Sequence, residues 1–294
     1  MRRLRSLLFV PGDSAKKLGK VDGCGADAVI LDLEDAVAPE RKVEARALVA
    51  GFLAARPQDG RALQLWVRIN TLNGDLALAD LAAVVAAAPD GVMLPKAAGP
   101  ADVARLSHYL DALEVQAGVA PGSIGVILVA TETAAAPFAL GAYAGAGLTR
   151  LVGLTWGAED LSAALGASTN RAADGSGWAF TYRMVRAQML LAAHAAGVAA
   201  IETLSADFTD ADALLADSRA ARAEGFTGRL AIHPAQVAPI NAGFLPDDAE
   251  VAEARRVIAA FDAAPGQGTV GLDGRMLDRP HLLAARRTLG LAGA

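Results

Sequence analysis

Cysteine, histidine and clustered basic residues are all scarce in this chain, and each scarcity removes a class of chemistry. Cys24 is the only cysteine among 294 residues, so no internal disulfide and no cysteine-based zinc cluster can form. Histidine occurs at His108, His194, His233 and His281 alone, without the spacing of a histidine metal motif. His108 and His194 fall inside helical patterns. His233 ends a strand-like run and is the one histidine expected near a strand-end site. The formal net charge is -5 with no long basic run, which excludes nucleic acid as an expected partner. After the basic start Met1-Arg-Arg-Leu-Arg5, the apolar run Leu7-Leu-Phe-Val10 stops at Pro11-Gly12. That is too short for an export signal or a membrane span. A cytoplasmic protein with no membrane partner is expected. A Gly-rich phosphate loop is also missing after the first strand-like run, where Phe9-Val-Pro-Gly-Asp13 stands. This disfavours an open doubly wound sheet.

What is present is apolar sequence in a regular alternation. Hydrophobic residues make up 53% and charged residues 20% of the chain, enough for a sizeable core and against disorder. Strands are predicted over 6–10, 28–33, 63–69, 91–94, 124–131, 150–155, 198–203 and 229–232. Most are near-continuous apolar runs, as suits strands covered on both faces. Helical patterns over 40–55, 101–117, 178–196 and 210–224 lie between them, some behind cap-like residues such as Asp13-Ser14 and Thr209-Asp210. This alternation is the pattern of an α/β TIM (β/α)₈ barrel. The barrel is expected over 1–245. Beyond it, 246–264 reads as one more helix, 265–274 as a flexible Gly-rich link and 275–294 as a short helical pattern. Such a C-terminal helical extension serves as a lid or a subunit arm, or is a frayed terminus.

Several of the predicted strands end in carboxylates. The fifth closes on Glu132, in Ile124-Gly-Val-Ile-Leu-Val-Ala-Thr-Glu132, and Asp160 follows the sixth in Trp156-Gly-Ala-Glu-Asp160. In a parallel barrel these ends form the floor of the active site. Carboxylates gathered there suit a hard cation such as Mg²⁺. By period-two alternation Ile124, Val126, Leu128, Ala130 and Glu132 share one face, so Glu132 is expected to point into the mouth if that face lines the barrel. The plain alternative for Glu132 and for Asp160 is a helix cap. Asp32, Glu34 and Asp35 form an acidic cluster after the second strand. It is suited to holding metal-bound waters or orienting a basic residue. Asp35 counts among the catalytic candidates, with a turn cap before Pro39 as its other reading. Arg68 ends the third strand, where a guanidinium must be paired. There it binds a substrate carboxylate, stabilises an enolate oxygen, or forms a structural ion pair with the Asp32 cluster. Lys96 ends the fourth strand with similar options. Arg2, Arg3, Arg5, Lys16, Lys17 and Lys20 gather positive charge expected near the first βα loop, either for substrate phosphates or as solvated surface.

Together and in order, Arg5-Ser-Leu-Leu-Phe-Val-Pro-Gly-Asp13, Ile30-Leu-Asp-Leu-Glu-Asp-Ala-Val37, Val67-Arg-Ile-Asn70, Leu94-Pro-Lys96, Glu132-Thr133, Gly157-Ala-Glu-Asp-Leu161 and Ile232-His-Pro-Ala-Gln236 resemble the citrate lyase beta-subunit-like branch of the HpcH/HpaI aldolase superfamily. The resemblance spans nearly the whole chain. It implies a TIM-like barrel, Mg²⁺, and cleavage or formation of a C–C bond beside a CoA thioester. The implied reaction splits a short 3-hydroxyacyl-CoA, such as malyl-, citramalyl- or citryl-CoA, into an acyl-CoA and a 2-oxo acid. By position it implies Glu132 and Asp160 as metal ligands and Arg68 as the substrate-binding arginine. Phe9 and Lys20 match positions that contact the CoA-bearing substrate, while Ser14 departs from an arginine there. The backbone near Glu159 and Asp160 matches a place for the substrate's distal carboxylate. In the tail, Gly274-Arg-Met-Leu-Asp278-Arg-Pro280 resembles the segment that crosses to a neighbouring subunit, with Asp278 as the catalytic aspartate. A homotrimer or hexamer follows from that. Three other activities remain open: a pyruvate-dependent aldolase on free acids, a malyl-type CoA thioesterase, and a lyase subunit acting on an acyl-carrier partner. The first is expected to need an early histidine, and none precedes His108.

Overall fold

The eight predicted apolar runs pair into one closed parallel sheet. In the computed structural model, which describes residues 3–293, the strands are β1 (Ser6–Pro11), β2 (Ala28–Asp32), β3 (Gln64–Arg68), β4 (Gly91–Leu94), β5 (Gly125–Val129), β6 (Leu151–Thr155), β7 (Ala199–Glu202) and β8 (Gly228–Ala231). Each lies parallel to the next, and β8 returns to β1 through Leu7↔Leu230. The connections carry helices α1 (Ala15–Leu18), α2 (Lys42–Ala54), α3 (Leu76–Val84), α4 (Pro100–Ala117), α5 (Ala158–Leu165), α6 (Phe180–Ala196) and α7 (Ala211–Glu224). Right-handed βα units repeated in this way give the (β/α)₈ barrel. Ser14 caps α1 through the Lys17 N–H, and Asp210 caps α7 through the Ala213 N–H, as the cap-like residues predict. Among the described residues no helix is long and apolar enough to cross a membrane.

The barrel interior is filled rather than hollow. Leu7, Ile30, Trp66, Met93, Ile127, Ile201 and Leu230 form one buried cluster. Trp66 takes the most space. A Cβ at Gly91 would lie 2.1 Å from its ring, so β4 has to begin on a residue without one. Above this plug the interior faces of the strands turn polar, at Asp32 on β2 and Arg68 on β3, the last residue of each strand.

Close packing divides the chain into two compact units, Met1–Asn241 and Ala242–Ala294. The chain passes from one to the other within α8 (Val237–Gly243), and the second unit holds α9 (Asp248–Asp262), β9 (Thr269–Leu272), β10 (Arg275–Asp278) and α10 (Arg279–Ala292). Its small core is Ala254, Val257, Val270, Leu277 and Ala285. The stretch expected to be a flexible link is ordered instead. It supplies β9 and the turn of an antiparallel hairpin with β10, in register Leu272↔Arg275. Asp273 and Gly274 form the turn with φ of 50° and 75°. Two left-handed central residues make the tight hairpin turn for which Asp-Gly is suited.

Candidate active site

The strand ends open onto a cavity of about 170 Å³. Phe9, Asp32, Arg68, Val129, Glu132, Trp156, Thr203 and Ile232 line it from seven of the eight strand ends. Glu159 and Asp160 join from the first turn of α5, and Trp178 from the loop before α6. This is the carboxyl-terminal face of the barrel, where residues from separate strands converge.

Glu132 reaches the mouth by a different route from the one alternation predicts. On β5 the interior face is Ile127 and Val129, so Ile124, Val126 and Leu128 face outward. The sheet pairing of β5 ends at Val129, and Glu132 enters from the turn beyond it. Two contacts fix the carboxylate there. Its Oε2 accepts the Lys96 N–H at 2.6 Å, from a residue held left-handed at φ 51°. Its methylene lies where a side chain at Gly157 would be, since a Cβ there would stand 2.8 Å from Glu132 Cγ. Glu132 is 5% exposed. Burial, with the negative field of Asp160 behind it, pushes its carboxyl up to about 8. It is therefore a buried acid short of positive charge.

Across the mouth the charges are balanced. Arg68 donates from Nε and Nη2 to the two oxygens of Asp32, at 2.8 and 2.6 Å, and Nη1 lies 3.0 Å from Glu34. Burial alone would lower the guanidinium; the bidentate Asp32 and the charge of Glu34 outweigh it, and its pKa is raised. The ring of Phe9 lies 4.8 Å from the guanidinium carbon, within cation–π range. Lys96 Nζ pairs with Glu34, with Asp35 at 2.7 Å and with Asp160 at 3.4 Å. Its pKa is also raised, because these carboxylates outweigh its burial. Burial keeps Glu34 above the ordinary carboxyl range despite Arg68 and Lys96, whereas at exposed Asp35 Lys96 prevails over the lesser desolvation and the carboxyl falls. The Asp32 cluster thus orients Arg68 and Lys96, and Asp35 is an ion-pair partner of Lys96.

The geometry suits a hard divalent cation. Among the described residues no group of three or more His, Cys, Asp or Glu is arranged as a metal site. Two carboxylates that line the cavity, Glu132 and Asp160, make a sparse set that suits such an ion when substrate and water oxygens supply the rest. A cation held there would offset the burial and the Asp160 charge that raise the Glu132 carboxyl.

Other expected residues lie elsewhere. Lys16, Lys17 and Lys20 are exposed on and after α1, and Lys20 does not line the cavity. Arg5 precedes β1 and binds Asp27 at 2.7–2.8 Å, at the opposite end of the barrel from the mouth. The basic residues therefore do not form one patch at the first βα loop; Arg2 lies outside the described residues. His233 stacks on Phe208 at 4.7 Å and caps the turn at Pro234, leaving Ile232 as the lining residue. In the second unit Asp278 ends β10 and is the N-cap of α10, with its Oδ1 2.5 Å from His281 Nδ1.

Two lining tryptophans escape the sequence reading. Trp156 donates its indole N–H to Glu202 at 2.6 Å and meets Trp178 edge-on at 5.1 Å. Arg171 stacks on the other ring at 3.7 Å. Glu202 also holds Arg186 at 2.6 Å. A signal for Glu202 exists, since it is one more acid ending an apolar strand. Trp178 carries none, because its place depends on how 167–177 folds back, with Asn170 bonded to Glu159 at 2.9 Å.

Comparison with known proteins places the chain by sequence and by fold. The family model described as HpcH/HpaI aldolase/citrate lyase matches residues 5–234. A (3S)-malyl-CoA thioesterase of Cereibacter sphaeroides is 35% identical over 99% of this chain and 95% of its own length. The mitochondrial citramalyl-CoA lyase of Rattus norvegicus is 33% identical over 98% of this chain and 86% of its own. Among solved structures, the CitE protein of Mycobacterium tuberculosis, in complex with magnesium, acetoacetate and coenzyme A, superposes with a TM-score of 0.81 at 34% identity, covering 100% of both chains.

Proposed function

This chain belongs to the HpcH/HpaI aldolase/citrate lyase family, and from that membership we propose a Mg²⁺-dependent lyase that splits a short 3-hydroxyacyl-CoA into an acyl-CoA and a 2-oxo acid. One observation carries the reading: Glu132, buried and pushed up to about 8 in part by Asp160, shares a strand-end cavity with Arg68. A metal-binding acid pair and a fixed guanidinium are the minimum for polarising a carbonyl and holding the enolate that forms beside it. The magnesium and coenzyme A in the Mycobacterium tuberculosis relative support the same assignment.

Glu132 and Asp160 would hold Mg²⁺, which when bound would supply Lewis-acid polarisation of the substrate oxygens. The remaining work belongs to the chain. Arg68 commits one Nε and one Nη2 N–H to Asp32 and pairs with Glu34 through Nη1, and presents its remaining N–H groups to the developing thioester enolate oxygen. Phe9 and Trp156 keep water from that oxygen, which strengthens the contact. The first N–H groups of α5, beside Glu159 and Asp160, receive the distal carboxylate. Asp278 of a neighbouring copy protonates the enolate carbon, or removes its proton in the synthetic direction. This requires a homo-oligomer, and the family resemblance favours a homotrimer or hexamer.

The likeness to a malyl-CoA thioesterase favours a second reading, hydrolysis of the same thioester at the same site. Products separate the two. The purified protein is given Mg²⁺ with malyl-CoA, citramalyl-CoA or citryl-CoA in turn. Release of an acyl-CoA and a 2-oxo acid supports the lyase. Free CoA with the intact hydroxy acid supports the thioesterase.

A further inference from the structure

Behind the mouth a second polar network braces the loop after β2, and no step of the proposed reaction uses it. Lys42, the first residue of α2, is 8% exposed. Its Nζ donates to the carbonyls of Leu33 at 2.8 Å and Glu34 at 2.7 Å, and to Asn70 Oδ1 at 2.9 Å. An ammonium has three N–H groups, so each has an acceptor, and two of the acceptors are consecutive carbonyls of one loop. Asn70, two residues past β3, closes the arrangement. Its Nδ2 donates to the same Leu33 carbonyl at 2.9 Å and to Asp80 Oδ2 at 2.7 Å. Asp80 is fully buried on α3 and accepts Arg46 Nε at 2.6 Å.

The braced loop carries Glu34, whose side chain leaves the held backbone to meet Arg68 and Lys96. A buried ammonium is costly unless its hydrogen bonds are complete, and an apolar side chain fills the same space without that cost. What the ammonium provides and an apolar residue does not is a fixed place for two carbonyls. We propose that Lys42 and Asn70 are positioning residues: they set the Leu33–Glu34 backbone, and through Glu34 the aim of the Arg68 guanidinium and the Lys96 ammonium at the mouth. The proposal rests on the reading of Arg68 as the arginine that holds the developing enolate oxygen.

The test is Lys42→Met in the full-length chain, assayed with Mg²⁺ and the wild-type enzyme's preferred thioester well below the variant's melting temperature. A misplacement near 1 Å at a catalytic group lowers kcat by about 10–100-fold. That loss is expected with KM for the thioester within about threefold of wild type, the split that marks a group acting in the transition state. A crystal structure of the variant should show residues 33–36 shifted and the Arg68–Glu34 pair opened. A folded variant with wild-type kcat and only a lower melting temperature would overturn the proposal, as would an unmoved loop. Asn70→Ala, which keeps the ammonium and removes half of the brace, should show a smaller loss in the same direction and serves if Lys42→Met does not fold. If wild type turns over no thioester, the lyase reading fails, and the position of the loop in the variant crystal still decides this proposal.

Discussion

At the scale of single residues, the most consequential feature is a carboxyl group placed where its charged form is disfavoured. Glu132 rises from an ordinary 4.5 to about 8, first through burial and then through Asp160. The sign of the pH effect follows. Without metal, the folded state holds this proton more tightly than the unfolded state. The resulting stability is fully present below about 4.5 and is lost as pH rises through about 8. Glu132→Gln removes the titration. In chelator, the melting temperature of the variant minus that of wild type should therefore increase from pH 4.5 to 8; a flat difference would refute the assigned burial. Magnesium competes with the same proton. Its affinity, read by calorimetry, should rise with pH through about 8 and be lost in Glu132→Gln, while circular dichroism shows the fold intact.

At the scale of elements, the site depends on where strands stop. Gly157 opens the turn after β6 and leaves room for Glu132, whose Cγ would lie 2.8 Å from an added Cβ. Gly157→Ala should displace the carboxylate and lower kcat by about 10–100-fold, at a stability cost of about 1–3 kcal/mol from overpacking. Kinetics and denaturant midpoints measure both; full activity would show that Glu132 tolerates another place. Elements were also where the sequence was most legible. Apolar runs located all eight barrel strands within one or two residues, because strands buried on both faces have little choice of composition. The face of β5 was misread. Counting by twos back from Glu132 assumed a straight strand to 132, while the ladder ends at Val129. The hairpin over 269–278 escapes the sequence reading, which takes 265–274 as a flexible link because glycine dominates its composition and 275–278 as part of a helical pattern, although Asp273-Gly274 is a hairpin signal. Trp178 was not legible, since its approach to Trp156 rests on the fold of a loop with no periodicity.

At the scale of the whole molecule, the account needs more than one copy of the chain. The metal-binding acids lie in Met1–Asn241, and Asp278 lies in Ala242–Ala294. If Asp278 serves a neighbour, Glu132→Gln and Asp278→Ala damage different halves of one composite site. Each variant alone should be inactive. Co-expressed and assembled together, they should recover a fraction of wild-type turnover, since some sites then combine an intact Glu132 with an intact Asp278. No recovery from demonstrably mixed oligomers would place Asp278 in its own subunit's site or outside catalysis. The central claim, a metal-dependent C–C cleavage at the Glu132–Asp160 pair, is tested most directly by following products from malyl-CoA, citramalyl-CoA and citryl-CoA with the purified protein. The account predicts that at least one yields an acyl-CoA and a 2-oxo acid with Mg²⁺, and that chelation or Glu132→Gln abolishes the yield. Cleavage that persists in chelator, or in the Glu132→Gln variant, would contradict it.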